Sequence, residues 1–455
     1  MGLLTGLSYV LGMSVLALYA TIAAGRRVPR TASWALVALA VVVTLLRCDR
    51  LYQEATAAGD YYAFYAAGRA VLTGGDPYAA RSQSSVDDAP KIANGNVALN
   101  PPTALPLFAL FGLMPLRAGY MLFVVVNLAL ALALPALAAR ALALSEEGRS
   151  RAMDESLALL AATLVISWAC FIVIVTGQVS LLTAAAITAA LAAQRADRRY
   201  LAGVCLGLAT VKPNTMLPFL LLFLRRSDLK TWVALCLTTA GLILVATSPA
   251  AVPGRLVTIL GRIAEYASPG RINDPSFANP NSVTILGLDR VFYCLGMTRR
   301  GVAGATQAVI LGAVGLALAR RVLFDRKAER AASIAMISLY AVMFFYHRQG
   351  DAVLLILPLA YAVANLFGGG SRGRRWAMAL AVASMLATLY IPGSALKGLW
   401  DRVADSGLSA IGFRLLLLPL ANYGLIVAFA AMWVATAIGE RGSGCAGPSA
   451  PTIAS

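Results

Sequence analysis

An all-α bundle of membrane-spanning helices is the fold class this sequence predicts, and three observations predict it. Charged residues make up 13% of the chain and hydrophobic ones 59%, with a mean hydropathy of +0.75. A soluble domain carries roughly a quarter charged residues, so too little polar surface is left here to face water. The apolar residues also arrive in blocks long enough to cross about 30 Å of hydrocarbon at about 1.5 Å per helical residue. The basic residues, finally, gather in short loops between those blocks, where positive charge sets orientation.

The blocks predict about eleven spans in chain order. The first, 5–23, has no basic segment before it and ends at Arg26 and Arg27 without a small-residue cleavage site, so it reads as a span rather than a removed signal. Block 32–46 follows that basic turn, and a long polar loop, 47–118, separates it from 119–139. Blocks 157–175 and 180–194 are split only by the turn at Thr176-Gly177-Gln178. Block 231–248 begins after Arg225, Arg226 and Lys230, and a second long loop, 249–302, leads into 303–319. The basic run from Arg320 to Arg330 precedes 331–346, and His347 to Asp351 is the turn into 352–368. Blocks 376–392 and 414–438 complete the set.

One apolar stretch does not fit a span. Residues 200–224 are interrupted by Lys212-Pro213 and Pro218, and basic clusters flank both ends. That pattern predicts a broken re-entrant hairpin, which membranes tolerate only where protein or a cavity covers it. With the hairpin returning to its own side, one alternate set of loops is short and dense in Lys and Arg, and that set is cytoplasmic. The N-terminus then lies outside and the C-terminus inside. Residues 1–438 read as one membrane domain, and the Gly/Ser/Pro/Ala-rich tail 439–455 as disordered and cytoplasmic.

The formal charge of +17 is topological under this reading; no zinc-finger, helix-turn-helix or basic-region pattern accompanies it, so no nucleic-acid partner is expected. The six cysteines lack metal-ligand spacing. Cys170, Cys205 and Cys236 fall in apolar blocks as small core residues, whereas Cys48 and Cys294 fall in outer loops, where a disulfide between them stays open.

Polar residues outside the basic clusters converge on the outer face. Asp60 opens the aromatic stretch Tyr61, Tyr62, Phe64 and Tyr65, which reads as an amphipathic helix on the membrane surface. It is either a helix N-cap or a partly desolvated general base. His347, the single histidine, is either an interfacial residue or a cation beside a phosphate. Arg348 and Asp351 read as a local ion pair or as part of a site. Lys212 sits in an apolar segment, where an unpaired ammonium costs several kcal/mol, so a partner or a cavity is expected unless it snorkels. Gln178 is a turn residue or a ligand. The tyrosines, Tyr61 and Tyr78 among them, are an interfacial belt or a surface for stacking sugar. No Gly-rich phosphate loop, zinc-protease motif or nucleophile signature is present.

The run from Gly59-Asp60-Tyr61-Tyr62 to Gly74-Gly75-Asp76-Pro77-Tyr78 resembles the first outer loop of glycosyltransferase family 87. These are GT-C-type membrane enzymes that use polyprenyl-phosphate sugars. Further similarities follow in order: Asn100-Pro101-Pro102, Thr176-Gly177-Gln178, Lys212-Pro213, Asn281-Ser282 with Arg290, and Tyr346-His347-Arg348 with Asp351. They run over roughly residues 45–365, a span set by the resemblance and not by hydropathy. The resemblance implies a GT-C-like bundle in the cytoplasmic membrane of a bacterium, building its cell envelope. It implies transfer of a hexose, mannose first, from a polyprenyl-phosphate donor to a glycolipid or polysaccharide acceptor on the outer face. Asp60 would be the general base and His347 a residue at the donor phosphate. Arg348, Arg290 and Lys212 would bind that phosphate, and Tyr61, Tyr78, Asn100, Gln178, Asn281 and Ser282 the substrates. Direct attack would invert the anomeric carbon, and neither a metal nor another cofactor is required. The competing class is a flippase or permease for a lipid-linked saccharide, which would hold polar groups at the bilayer midplane instead. A polymerase or ligase using a diphosphate-linked donor is a third reading.

Overall fold

The structure is a computed structural model and describes residues 2–23, 29–53, 59–78, 98–144, 150–224, 229–279, 282–297, 299–325, 329–343, 347–367, 371–403 and 407–444. The chain is a helical membrane bundle, its only sheet among these residues being one two-stranded pair. Among the described residues, six helices are long and apolar enough to cross a membrane: Arg30–Tyr52, Leu116–Leu142, Leu229–Ala246, Arg300–Phe324, Gln349–Leu366 and Ala410–Ile438. Counting each of two sharply bent pairs as one span raises the number to eight.

Hydropathy alone runs past the breaks in the remaining blocks. Block 157–175 divides at Ser167, whose hydroxyl accepts the Cys170 amide at 3.1 Å and so starts a new helix. The two pieces, Ser156–Ile166 and Trp168–Thr176, meet at 55°. The 200–224 stretch is broken where Lys212-Pro213 predicts. The Arg199–Ala209 helix ends, Lys212 takes an extended conformation (φ −141°, ψ 76°), and Pro213 starts the next short helix. A residue preceding proline is sterically disfavoured in the helical region, so the break is built into the sequence.

The core gathers the inner faces of the helices from Leu116 to Arg195 and from Arg330 to Tyr390. Against it stands the Gly59–Leu72 helix, in which every residue from Tyr61 to Gly68 is buried. The expected surface helix is therefore embedded. Gly68 explains how: a Cβ there would overlap the Phe108 carbonyl, so the 105–112 helix lies directly on its backbone. Phe64 and Phe108 stack with ring centroids 4.3 Å apart. Cys48 and Cys294 lie in helices and are both free and buried, in different clusters, so no disulfide joins them.

The long loop 249–302 is not structureless. It contains a helix, Val252–Tyr266, and its strand Ile285–Leu286 pairs antiparallel with His347–Arg348. That pairing ties the loop to the turn that carries the single histidine.

Candidate active site

Gly177 organises the first half of the site. It caps the Trp168–Thr176 helix with φ +82°, a conformation only glycine adopts freely. A Cβ at this position would overlap Tyr61, so the turn sits directly on the first residues of the Gly59–Leu72 helix. The following residue, Gln178, thereby reaches Asp60, donating from Nε2 to Oδ2 at 2.9 Å. One carboxylate oxygen is held, and Asp60 lines a cavity of about 710 Å3.

A second polar centre forms on the same cavity around Asp351. The Ser180 hydroxyl donates to Asp351 Oδ1 at 2.6 Å, and the Lys212 ammonium donates to the same oxygen. Lys212 also reaches Ser180 Oγ at 2.9 Å. On the other carboxylate oxygen, His347 Nδ1 stands at 3.0 Å and the Arg348 backbone N–H donates at 3.3 Å. Lys212 thus has both things an intramembrane ammonium requires, a buried counter-ion and a cavity. Gly350 joins the two centres. A Cβ there would lie 2.9 Å from Val173 Cγ2 and 3.1 Å from Gln178 Oε1, so the bare backbone is what lets Gln178 sit beside the Asp351 turn.

The cavity wall includes Asp60, Asn100, Gln178, Lys212, Arg348 and Asp351. Much of its apolar lining is supplied by the Val252–Tyr266 helix. Asn100 is fixed by donation from Nδ2 to the Val211 carbonyl at 3.3 Å. Arg348 donates to the Ile272 carbonyl at 2.9 Å and lies 3.4 Å from Asn273 Oδ1. Among the described residues no group of three or more His, Cys, Asp or Glu side chains gathers as a metal site.

Other expected site residues stand back from this cavity. Tyr61 is 1% exposed, in an aromatic cluster with Phe111, Tyr120 and Phe123, and lies outside the cavity lining. Tyr78 is equally buried and donates its hydroxyl to the Asn100 carbonyl at 3.1 Å, supporting a lining residue without lining. Burial pushes both phenols well above their ordinary range. Arg290 is buried away from the cavity, donating to the Pro275 carbonyl at 3.0 Å with its guanidinium 4.5 Å from the Phe277 ring centre. Ser282 is buried in a short helical turn. His347 is fully buried and reaches the cavity only through Asp351. Asn281 lies outside the described residues. Sequence reasoning missed Ser180, two positions after Gln178, and the role of Asp351 as the shared acceptor.

The sequence profile described as glycosyltransferase family 87 matches residues 98–347, more than half of the chain. The chain belongs to glycosyltransferase family 87. No curated protein and no solved structure matches it. Membership of family 87 makes the protein a membrane glycosyltransferase, and a glycosyltransferase requires a sugar donor and an acceptor. The matched family 87 segment contains Asn100, Gln178, Ser180, Lys212 and His347. Asp60 and Asp351 lie outside it and are drawn to the same cavity by the fold.

Proposed function

We propose that the protein transfers a hexose, with mannose the expected sugar, from a polyprenyl-phosphate donor to a lipid or glycan acceptor. Transfer takes place on the outer face of the cytoplasmic membrane, with inversion at the anomeric carbon and Asp60 as general base. The supporting orientation is that of about eleven spans with the N-terminus out, set by the density of Lys and Arg in the short loops. One observation carries the reading. A single cavity holds a carboxylate braced on one oxygen, two cationic side chains, and a wall of hydrocarbon.

Each part has a chemical task. The acceptor hydroxyl gives its proton to Asp60 as its oxygen bonds to the anomeric carbon. The bond from that carbon to the phosphate oxygen breaks, and the phosphate keeps the electron pair. A phosphodiester with one negative charge becomes a monoester approaching two. Lys212 and Arg348 face that gain of charge from the cavity wall, where a low dielectric makes their attraction count. Asp351 and Ser180 hold the Lys212 ammonium in place, and His347 braces Asp351 from behind.

The test uses purified protein in detergent, with radiolabelled mannosyl-phosphoryl-polyprenol and a membrane lipid extract as acceptor. Label appearing in a new glycolipid or glycan, and lost with Asp60→Asn, is the expected result. In detergent no compartments exist, so a pure transporter would yield no product. Absence of product with the wild-type protein overturns the reading.

A further inference from the structure

The Val252–Tyr266 helix is poorly attached to the protein that carries it. Of its 15 residues only Ile259 is buried, packed among Phe64, Tyr78, Val211 and Ala246. Its N-terminal end is tied by Arg255, which donates to the Ala246 carbonyl at 3.0 Å and to the Thr247 hydroxyl. Beyond its C-terminal end the chain runs to Ile272, whose carbonyl accepts from Arg348. The helix is strongly two-faced. Leu256, Ile259, Leu260, Ile263 and Tyr266 recur at three- and four-residue spacing along one side. Arg262 and Glu265 lie on the other and pair at 2.8 Å. Such a helix lies in the membrane interface with its charged side toward water.

Those five apolar residues are the hydrocarbon wall of the cavity. Three of them are also open: Leu256 is 44%, Leu260 65% and Ile263 43% exposed. The cavity is therefore unsealed along this helix, and its apolar face continues outward. A sugar finds no hydrogen-bonding group on these leucine and isoleucine side chains, and an apolar face is filled by hydrocarbon in preference to water. Lys212, held by Asp351, and Arg348 line the same cavity and offer N–H donors to an anionic head. An occupant that satisfies both sets of residues carries a negative head joined to a long apolar chain.

Resting on the reading of a phosphate-linked lipid donor, we propose that the Val252–Tyr266 helix is the surface along which the donor's isoprenoid chain leaves the cavity. Leu256 and Leu260 make the enzyme select long chains over short ones. The chain is assigned to the donor because it is bonded to the same phosphate that the cations face.

The experiment measures binding of geranyl phosphate and heptaprenyl phosphate, the sugar-free products, to the full-length protein in nanodiscs. The wild type is expected to hold heptaprenyl phosphate on the order of tenfold or more tighter, from the extra apolar area buried. The double variant Leu256→Asn/Leu260→Asn brings that ratio within about twofold, weakening heptaprenyl phosphate several times more than geranyl phosphate, whose remaining binding reports an intact cavity. A ratio that survives in the variant, or equal weakening of both ligands, overturns the proposal. Loss of diacyl phosphatidylinositol binding in place of heptaprenyl phosphate assigns the face to an acceptor and overturns it as well. Wild-type protein that binds neither prenyl phosphate defeats the underlying donor reading instead, a result distinct from the others.

Discussion

Gln178 donates its side-chain amide to the Asp60 carboxylate across 118 residues of chain, at 2.9 Å. This bond fixes the one carboxylate that faces the cavity without a cation of its own in the same turn. Asp60→Asn removes the proton acceptor while keeping the shape, and it is expected to lower sugar transfer by roughly a thousandfold, within the range of general-base contributions. Gln178→Leu leaves the carboxylate but frees its orientation, and a hydrogen bond to a charged group accounts for roughly a ten- to hundredfold loss in kcat. Steady-state kinetics on both variants, with membrane insertion checked by detergent extraction, decides the point. Equal losses in the two variants would contradict the division of roles.

Two glycines with positive φ separate strain from position. Gly74 (φ +75°) has nothing within 4 Å of an added Cβ, whereas at Gly177 (φ +82°) the added atom overlaps Tyr61. Gly74→Ala is expected to cost about 1–2 kcal/mol of stability and leave transfer intact, since only the left-handed backbone is penalised. Gly177→Ala pushes Tyr61 away, carries Asp60 with it, and lowers kcat by more than about tenfold. Thermal melts and activity measured side by side would expose a shared cause if both variants behaved alike.

Residues with a local signal were legible in the sequence. Asp60, Lys212, Arg348, Asn100 and Gln178 are polar groups at the ends or breaks of apolar blocks, and the fold brings all five to one cavity. Tyr61 misled because an aromatic belt, a sugar platform and a packed core share one sequence pattern; only contact with Phe111 and Tyr120 settles it as core. Asp351 looked like half of a local pair with Arg348, whereas its ion-pair partner Lys212 lies 139 residues away, a distance no local pattern encodes. The Val252–Tyr266 helix was hidden by Pro253, Gly254 and Gly261, which read as loop although the apolar stripe was present. Helix length alone accounts for six to eight spans among the described residues, because breaks such as Ser167 divide blocks over which hydropathy averages.

Lys212 and Asp351 form a buried pair, with side chains 19% and 3% exposed. Breaking such a pair leaves one uncompensated charge, at a cost of about 3–5 kcal/mol. Asp351→Asn is therefore expected to destabilise the protein more than Asp351→Asn/Lys212→Gln does. For the KM of the phosphate donor the order differs. Each single variant raises it, and the double variant raises it no further than Lys212→Gln alone, because Asp351 acts through the ammonium. A double-mutant cycle read on melting temperature and donor KM checks both halves. Additive effects on KM would remove Asp351 from the positioning role.

Asp289 offers a pH test away from the cavity. It opens the Leu288–Cys294 helix, and burial pushes its carboxyl up from 3.8 to about 6, despite the Arg290 backbone N–H and the charges of Arg290 and Arg300 pulling it down. In the folded protein this acid keeps its proton through a range where the unfolded chain has lost it. The stability it contributes is complete below about pH 4, falls as pH rises toward 6, and is gone above that. The total is roughly 2–3 kcal/mol, because each tenfold change in a protonation equilibrium is worth about 1.4 kcal/mol. Asp289→Asn cannot ionise, while its amide oxygen can still accept the Arg290 N–H that Asp289 Oδ1 accepts at 2.8 Å. The variant is accordingly expected to melt higher than the wild type at about pH 7.5 and level with it near pH 3.5. Melting curves of detergent-solubilised protein across that range would refute the burial argument if the wild type were the more stable at the upper end.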